Sequence, residues 1–283
     1  MKIGIVGFGF VGQALRKGLE DDVECIVIDP KLKTHINDLQ EFSPDMVFIC
    51  VPTPMNDDGS QNIEIVNNVI EEINKFNSNL LIILKSTILP KYVKEISKIC
   101  ENLVVNPEFL REKFADDDFI NSEIIVFGGS EDNCKKISKF YKKHTKCICN
   151  EHIFTDDISA SLIKYTINSF LALKVIFFNE IKSVFDNLSS NNDWLSFINA
   201  MSKDKRIGES HMSVPGPDGK YGFGGACFPK DVSALIEYSK ELGPELSLLK
   251  KANDINNNIR SEYNDLSERE KEQNIRYRTD KEE

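Results

Sequence analysis

Residues Tyr221–Asp231 read Tyr-Gly-Phe-Gly-Gly-Ala-Cys-Phe-Pro-Lys-Asp. Cys227 follows Gly222, Gly224 and Gly225, and precedes Pro229 and an apolar-periodic run of Val232, Leu235, Ile236 and Leu242. Proline in a first helical turn costs no hydrogen bond, so this pattern predicts a loop feeding a helix that starts near the cysteine. A thiol at a helix start, close to Lys230, is favoured as the nucleophilic thiolate. The glycines let backbone approach a ligand that a Cβ would hold off. A glycine turn beside a small buried cysteine gives the same local pattern, so the choice rests on the other reactive residues.

Lys164 and Asn168 are spaced so that a helix brings them to one face, where an amine and an amide can hold an oxygen on which charge develops. Glu108 and Glu112 flank Phe109-Leu110 just beyond a strand-like run, and a carboxylate there can activate water. Thr87 follows another strand-like run, and Arg206 precedes the glycine loop. Taken singly, each of these is equally an ordinary surface residue. His35, His144, His152 and His211 show no metal-ligand spacing, and no Ser-His-Asp arrangement can be drawn.

At the other end of the chain, residues 2–6 form a short apolar strand pattern. It is followed by Gly7-Phe8-Gly9-Phe10-Val11-Gly12, a helical pattern through Leu15 and Leu19, and a second strand ending at Asp29. In that order the glycines permit the turn, the pyrophosphate approach and the helix packing, and the acid accepts from the ribose hydroxyls. Asp29 would repel a 2′-phosphate, which favours NAD over NADP. A glycine turn in a fold that binds nothing is the competing reading. Together the parts suit a four-electron oxidation of an alcohol to an acid. NAD takes hydride, the Lys/Asn pair steadies an alkoxide, and Cys227 traps the aldehyde as a thiohemiacetal. Loss of a second hydride gives a thioester that water hydrolyses. A two-electron dehydrogenase has no need of the cysteine.

The elements that must place these residues follow from the remaining pattern. With 283 residues and a net charge of −10, the chain has room for about two domains and is a poor candidate for nucleic acid. No signal-peptide pattern opens it and no apolar run reaches membrane-spanning length, so no membrane partner is expected. Seven cysteines, without metal-type pairs, indicate a reducing, cytoplasmic compartment. Cys147-Ile148-Cys149 reads as part of a last strand. Repeated strand–helix units predict an α/β fold. Residues 1–154 form a Rossmann-like parallel sheet, and 155–263 form a helical domain built on one long helix. That helix begins near Asp156, capped by Thr155 or Asp156, and is apolar on more than one side. Shorter helices are expected at about 194–202, 229–242 and 247–262. The charged residues 264–283 read as a solvated or frayed tail.

Several of these motifs occur in one characteristic order: Gly-Phe-Gly-Phe-Val-Gly, Val51-Pro-Thr-Pro, Lys85-Ser-Thr, Asn106-Pro-Glu-Phe-Leu-Arg-Glu, Lys164-Tyr-Thr-Ile-Asn, Arg206-Ile-Gly and Gly222-Phe-Gly-Gly-Ala-Cys-Phe-Pro-Lys-Asp. In this the chain resembles the UDP-glucose 6-dehydrogenases and wider nucleotide-sugar dehydrogenases, from residue 3 to about residue 260. The resemblance implies that Cys227 is the nucleophile and that Lys164 and Asn168 stabilise the oxyanion. It makes Asp231 a partner of Lys164 and a water in proton transfer. Glu108 would promote thioester hydrolysis, with Thr87 assisting through water. It implies NAD contacts at Gly7, Gly9, Phe10, Val11, Gly12, Asp29, Thr53, Thr87, Glu112 and Lys230. Sugar-nucleotide contacts are implied at Glu108, Phe109, Leu110, Glu112, Lys164, Asn168, Arg206, Tyr221 and Gly224. UDP-glucose is the leading substrate, two NAD are reduced per sugar, and a homodimer forms through the 156–186 helix, with Arg206 reaching the neighbouring subunit's substrate. Departures include Phe10 for the usual Tyr, Ala226 for Ser, Lys113 for Gly, and Ser122-Glu123 for an acid–arginine pair. Relatives continue into a second Rossmann-like domain that helps bind UDP, so the expectation is a shortened form. The alternatives are a two-electron β-hydroxyacid dehydrogenase and a truncated, non-catalytic NAD-binding partner of a full-length enzyme.

Overall fold

A computed structural model gives the structure of residues 1–278. The chain divides into two compact units, Met1–Thr53 with Asn62–Lys164, and Pro54–Gln61 with Tyr165–Glu283.

In the first unit, strands β1 (Lys2–Val6), β2 (Glu24–Ile28), β3 (Met46–Ile49), β4 (Leu81–Leu84), β5 (Leu103–Val105), β6 (Ile125–Gly129) and β7 (His152–Thr155) form one sheet, ordered β2-β1-β3-β4-β5-β6-β7. Helices α1 (Phe10–Lys17), α2 (Ile36–Phe42), α3 (Glu64–Phe76), α4 (Pro90–Ile99), α5 (Ala115–Ile120) and α6 (Glu131–His144) connect the strands. Strands β3, β4 and β5 read as unbroken apolar runs because both sheet faces are covered there. Along β3, Val47 and Ile49 enter one core with Leu39, Ile70 and Val93 of α2, α3 and α4. Met46 and Phe48 point the other way, into a core with Leu15, Phe119 and Phe140 of α1, α5 and α6.

Strands β1 to β5 are parallel, as the strand–helix alternation predicts. β6 departs from that pattern, with Val104 and Val105 pairing antiparallel with Gly129 and Gly128. The connection explains it. After β5 the chain stays on one face, where Phe119 of α5 packs against Gly18 beside α1, and it re-enters from the end at which it left. β7 runs parallel to β6 and begins at His152, not near Cys147 as expected. Residues 147–149 are irregular, because the Lys146 and Ile148 N–H groups donate to the carbonyls of Gly18 and Ile120 at 2.7 and 2.9 Å instead of to the sheet.

Helix α7 (Asp157–Asp186) is the expected long helix, and Asp156 caps it by accepting from the Ser159 N–H at 2.8 Å. The division between the two compact units falls at 164/165, inside α7. The first turns of α7 belong to the sheet's core. Ala160 packs there, Ser161 Oγ donates to the Ile88 carbonyl at 2.5 Å, and Ser97 Oγ donates to Asp157 at 2.6 Å. By length and composition alone α7 is apolar enough to cross a membrane, which corrects the expectation that no segment is. Its buried Lys164, Asn168 and Asn179 instead suit a core helix lined with polar groups.

The second unit continues with α8 (Trp194–Ser202), α9 (Phe228–Leu242), α10 (Ser247–Arg260) and α11 (Glu268–Glu272). Ala172 and Ile176 of α7, Val232 and Ile236 of α9, and Leu249 and Ala252 of α10 form its core with Phe223. The segment after 264 is not the solvated tail that its charge suggests. A capping box of Ser267 and Glu270 starts α11, and Glu270, Gln273 and Ile275 are buried. Residues 279–283 of that expectation lie outside the described residues.

Candidate active site

The glycine loop of the first unit joins β1 to α1. Gly9 caps α1, whose first turn carries no acidic residue, so the positive helix end favours an anion. A Cβ on Gly9 would meet nothing within 4 Å, which leaves open space there. Gly12 is different, because a Cβ would run into the Gly7 carbonyl oxygen. Phe10 and Val11 are half-buried in the first turn. Asp29 follows β2, accepting from the Phe8 N–H at 2.7 Å and from the Lys31 N–H at 2.8 Å. Its carboxylate is thereby fixed at the loop and keeps lone pairs for a ribose hydroxyl. These residues fit a dinucleotide whose pyrophosphate lies on α1. Thr53 is buried and donates to the Thr87 carbonyl at 2.9 Å, tying the ends of β3 and β4 together.

Beyond β5, Glu108 is buried. Its Oε1 accepts from Lys164 Nζ at 3.1 Å and its Oε2 from the Leu110 N–H at 2.6 Å. The Phe109 ring lies 5.4 Å from the same ammonium. The carboxylate thus has a charged and a backbone donor, as burial requires. Glu112 opens a short turn on the exposed surface. Behind Glu108 sits a buried network. Lys85 Nζ donates to Asn106 Oδ1 at 3.0 Å and to Tyr141 at 3.3 Å, and the Tyr141 hydroxyl donates to Asn106 at 2.7 Å. Burial pushes the Lys85 ammonium below its ordinary range and the Tyr141 phenol above its own.

In the second unit, Cys227 is half-buried and caps α9, with Pro229 inside the first turn. One turn on, Asp231 is 1% exposed. Its Oδ2 accepts from Asn168 Nδ2 at 2.7 Å and its Oδ1 from Lys230 Nζ at 2.6 Å. The Asp231 N–H donates to the Cys227 carbonyl at 3.0 Å, so thiol and carboxylate share the start of one helix. Lys164 and Asn168 lie one turn apart on α7, as their spacing predicts. Arg206 stands on the surface in a bidentate pair with Asp204.

The glycine loop before Cys227 is held far more tightly than its composition suggests. The Tyr221 N–H donates to the Tyr263 hydroxyl at 3.1 Å, the Gly222 N–H to Asn179 at 2.9 Å, the Phe223 N–H to Asn256 at 2.6 Å, and the Gly225 N–H to Glu270 at 3.1 Å. Arg260 Nη2 donates to the Gly222 carbonyl at 2.7 Å. Gly222 sits at φ 74°, and a Cβ there would meet Asn256 Oδ1 at 2.6 Å. Sequence reasoning missed Asn179, Asn256, Arg260 and Glu270. Two signals were legible: Asn256 and Arg260 share a helix face, and Ser267-x-x-Glu270 is a capping-box pattern.

Comparison with known proteins decides the lineage. The model of the NAD binding domain of the UDP-glucose/GDP-mannose dehydrogenase family matches residues 15–145, and the model of that family's central domain matches residues 158–258. The chain belongs to the UDP-glucose/GDP-mannose dehydrogenase family. It is 34% identical to a UDP-glucose 6-dehydrogenase of Rickettsia felis over 70% of this chain and 44% of that protein. It is 38% identical to the enzyme of the same name from Rickettsia bellii over 68% of this chain and 44% of that protein. It spans less than half the length of either. Its fold is similar to that of a UDP-glucose dehydrogenase from Pyrobaculum islandicum, with a TM-score of 0.76 at 25% identity, covering 90% of this chain and 67% of that one. Asp29 and Glu108 fall within the match to the NAD binding domain, and Lys164, Asn168, Cys227 and Asp231 fall within the match to the central domain.

Proposed function

We propose that this chain carries out the NAD-dependent four-electron oxidation of a nucleotide sugar, UDP-glucose to UDP-glucuronate. The observation that carries the reading is Asp231, a buried carboxylate held by Asn168 and Lys230 one turn into the helix that Cys227 caps. A dehydrogenase that stops at the aldehyde has no use for a thiol there.

When bound, NAD supplies the hydride acceptor, twice per sugar. The residues of the chain do the rest. Lys164 and Asn168 donate to the substrate oxygen as it gains charge, a role typically worth 10²–10³ in rate for such a donor. Asp231, working with Lys164 and a water, takes the hydroxyl proton when the first hydride leaves. The Cys227 thiolate, its proton passed to solvent, then adds to the aldehyde carbon, and the alkoxide so formed, held by Lys164 and Asn168, becomes the carbonyl of a thioester as the second hydride leaves. Glu108 draws a proton from water as the water attacks that carbon, with Thr87 assisting. The S–C bond breaks, the acid leaves and the thiol is restored. Glu112 and Lys230 serve the NAD side, and Phe109, Leu110, Arg206, Tyr221 and Gly224 the sugar nucleotide. The chain pairs with a second copy through α7, whose Phe170, Phe177 and Val184 are 62%, 52% and 58% exposed.

The test is to count NADH per sugar with purified chain across UDP- and GDP-sugars. Two per UDP-glucose, abolished by Cys227→Ser, supports the reading. One per substrate, insensitive to that change, sinks it in favour of a two-electron enzyme. NAD binding without turnover points to a non-catalytic partner.

A further inference from the structure

The segment after α10 returns to the loop before Cys227. Glu270 is 4% exposed, and its carboxylate takes four donors. Oε2 accepts from the Ser267 N–H at 2.8 Å and from its hydroxyl at 2.9 Å. Oε1 accepts from the Tyr277 hydroxyl at 2.7 Å and from the Gly225 N–H at 3.1 Å. Capping a five-residue helix needs only the first oxygen. The second is turned onto the catalytic loop two residues before the thiol, at a glycine with φ 79°. Farther along, the Gln273 carbonyl accepts from the Met55 N–H at 3.0 Å, and Asn274 Nδ2 donates to the Met55 carbonyl at 2.8 Å. Arg276 pairs with Asp57 at 2.7 Å, and Ile275 is 2% exposed. At the near end, Lys220 pairs with Asp265 at 2.8 Å. One short segment therefore holds both the glycine loop and the turn at 54–61.

We propose that residues 264–278 are a strap that sets the conformation of the Cys227 loop, with Glu270 the positioning residue that fixes Gly225. This rests on the reading of Cys227 as nucleophile. Burial pushes the Glu270 carboxyl up, but the bonds from Tyr277, Ser267 and Gly225 outweigh it and hold the group below the usual carboxylate range. The strap is therefore charged and engaged at neutral pH, where hydrogen bonds to an ionised acceptor are strongest.

The experiment compares full chains carrying Glu270→Ala, Glu270→Gln and Tyr277→Phe with the parent, by backbone hydrogen exchange and by alkylation of Cys227 with iodoacetamide. Loss of a hydrogen bond to a charged group corresponds to roughly ten- to a hundredfold in a local opening equilibrium. Glu270→Ala is expected to speed exchange by about tenfold or more at both Gly225 and Met55, far apart in sequence, while amides of β1 to β4 keep their rates. It should also change the Cys227 alkylation rate by a comparable factor. Glu270→Gln and Tyr277→Phe should give smaller effects in the same places, and they keep the test open if Glu270→Ala does not fold. Faster exchange confined to 267–272 would reduce Glu270 to a helix cap and overturn the strap. Neither readout requires turnover, so the strap stands or falls even if no sugar nucleotide is oxidised. Where the parent is active, the variants should lose kcat, and a kcat that holds or rises overturns the positioning role.

Discussion

Asn168 Nδ2 donates to Oδ2 of Asp231 at 2.7 Å, a bond between a helix that begins in the sheet's core and the helix that Cys227 caps. With Lys230 on the other oxygen, a carboxylate that is 1% exposed has each oxygen matched. Removing the amide leaves one oxygen buried without that donor. Asn168→Ala is therefore expected to lower the free energy of unfolding by about 1–3 kcal/mol. It should also cut turnover about 10²-fold or more through loss of the proposed oxyanion donor. Urea melts and NADH production read the two effects separately, and an unchanged melt would show that the bond does not hold the helices.

Glu108 and Lys164 make a buried ion pair at 3.1 Å, with side chains 6% and 5% exposed. Removing either charge alone leaves the other desolvated, a loss of about 3–5 kcal/mol. Replacing both, as Glu108→Gln with Lys164→Met, should recover most of that stability and none of the activity. On the proposed mechanism, Glu108→Gln alone should also stall thioester hydrolysis. Intact-mass measurement after mixing with NAD and UDP-glucose would then find the sugar nucleotide carried on Cys227.

The sheet and the long helix were legible because each has a local signature: apolar runs in one, helical spacing in the other. What the sequence did not disclose depends on which element lies beside which. Nothing around Ile124 says that β6 will run against β5, because that follows from α5 keeping to one face. Nothing in the charged residues after 264 says that Glu270 will meet Gly225, since the bond joins positions far apart in the chain. The division of the compact units at 164/165 was hidden for a related reason, because helical periodicity continues through it while the packing partners change. Local pattern shows what a segment is, and its neighbours decide what it holds.

Gly9 and Gly12 should separate cofactor binding from folding. A Cβ on Gly9 meets no protein atom, so Gly9→Ala is expected to fold like the parent yet lose at least roughly tenfold in NAD affinity, by filling space the pyrophosphate needs. A Cβ on Gly12 strikes the Gly7 carbonyl, so Gly12→Ala should lose NAD binding and also about 1–3 kcal/mol of stability from overpacking. Calorimetric titration with NAD, alongside thermal melts, distinguishes the two.

Alkaline pH should weaken the fold through a buried thiol. Cys100 is 1% exposed in the sheet's core, and burial pushes it up to about 11. Its folded value is raised, so its contribution is fully present below the thiol's unfolded value of roughly 8.5. The contribution is lost as pH rises from there through the folded value, because the unfolded chain releases the proton first. The urea midpoint should fall between pH 9 and about 11, and Cys100→Ala should flatten that slope. The slope will not vanish, because burial raises Cys25 to about 11 as well.

Phe170, Phe177 and Val184 fall at heptad spacing along α7 and remain 62%, 52% and 58% exposed, a stripe of large apolar groups on a helix whose opposite side is already packed. Heptad spacing is what keeps one helical seam turned toward another helix over several turns. The proposed homodimer would bury this stripe, with the two copies of Phe177 near its middle. Phe177→Glu puts a charge in that seam while leaving a side chain that is already half in solvent. The variant is therefore expected to melt within about 0.5 kcal/mol of the parent as a monomer. Light scattering across a concentration series should find the parent dimeric and the variant shifted toward monomer by tenfold or more in dissociation constant, since a buried unpaired charge costs well over the ~1.4 kcal/mol that such a shift requires. A parent that stays monomeric would remove the homodimer, and a variant as dimeric as the parent would move the interface off α7.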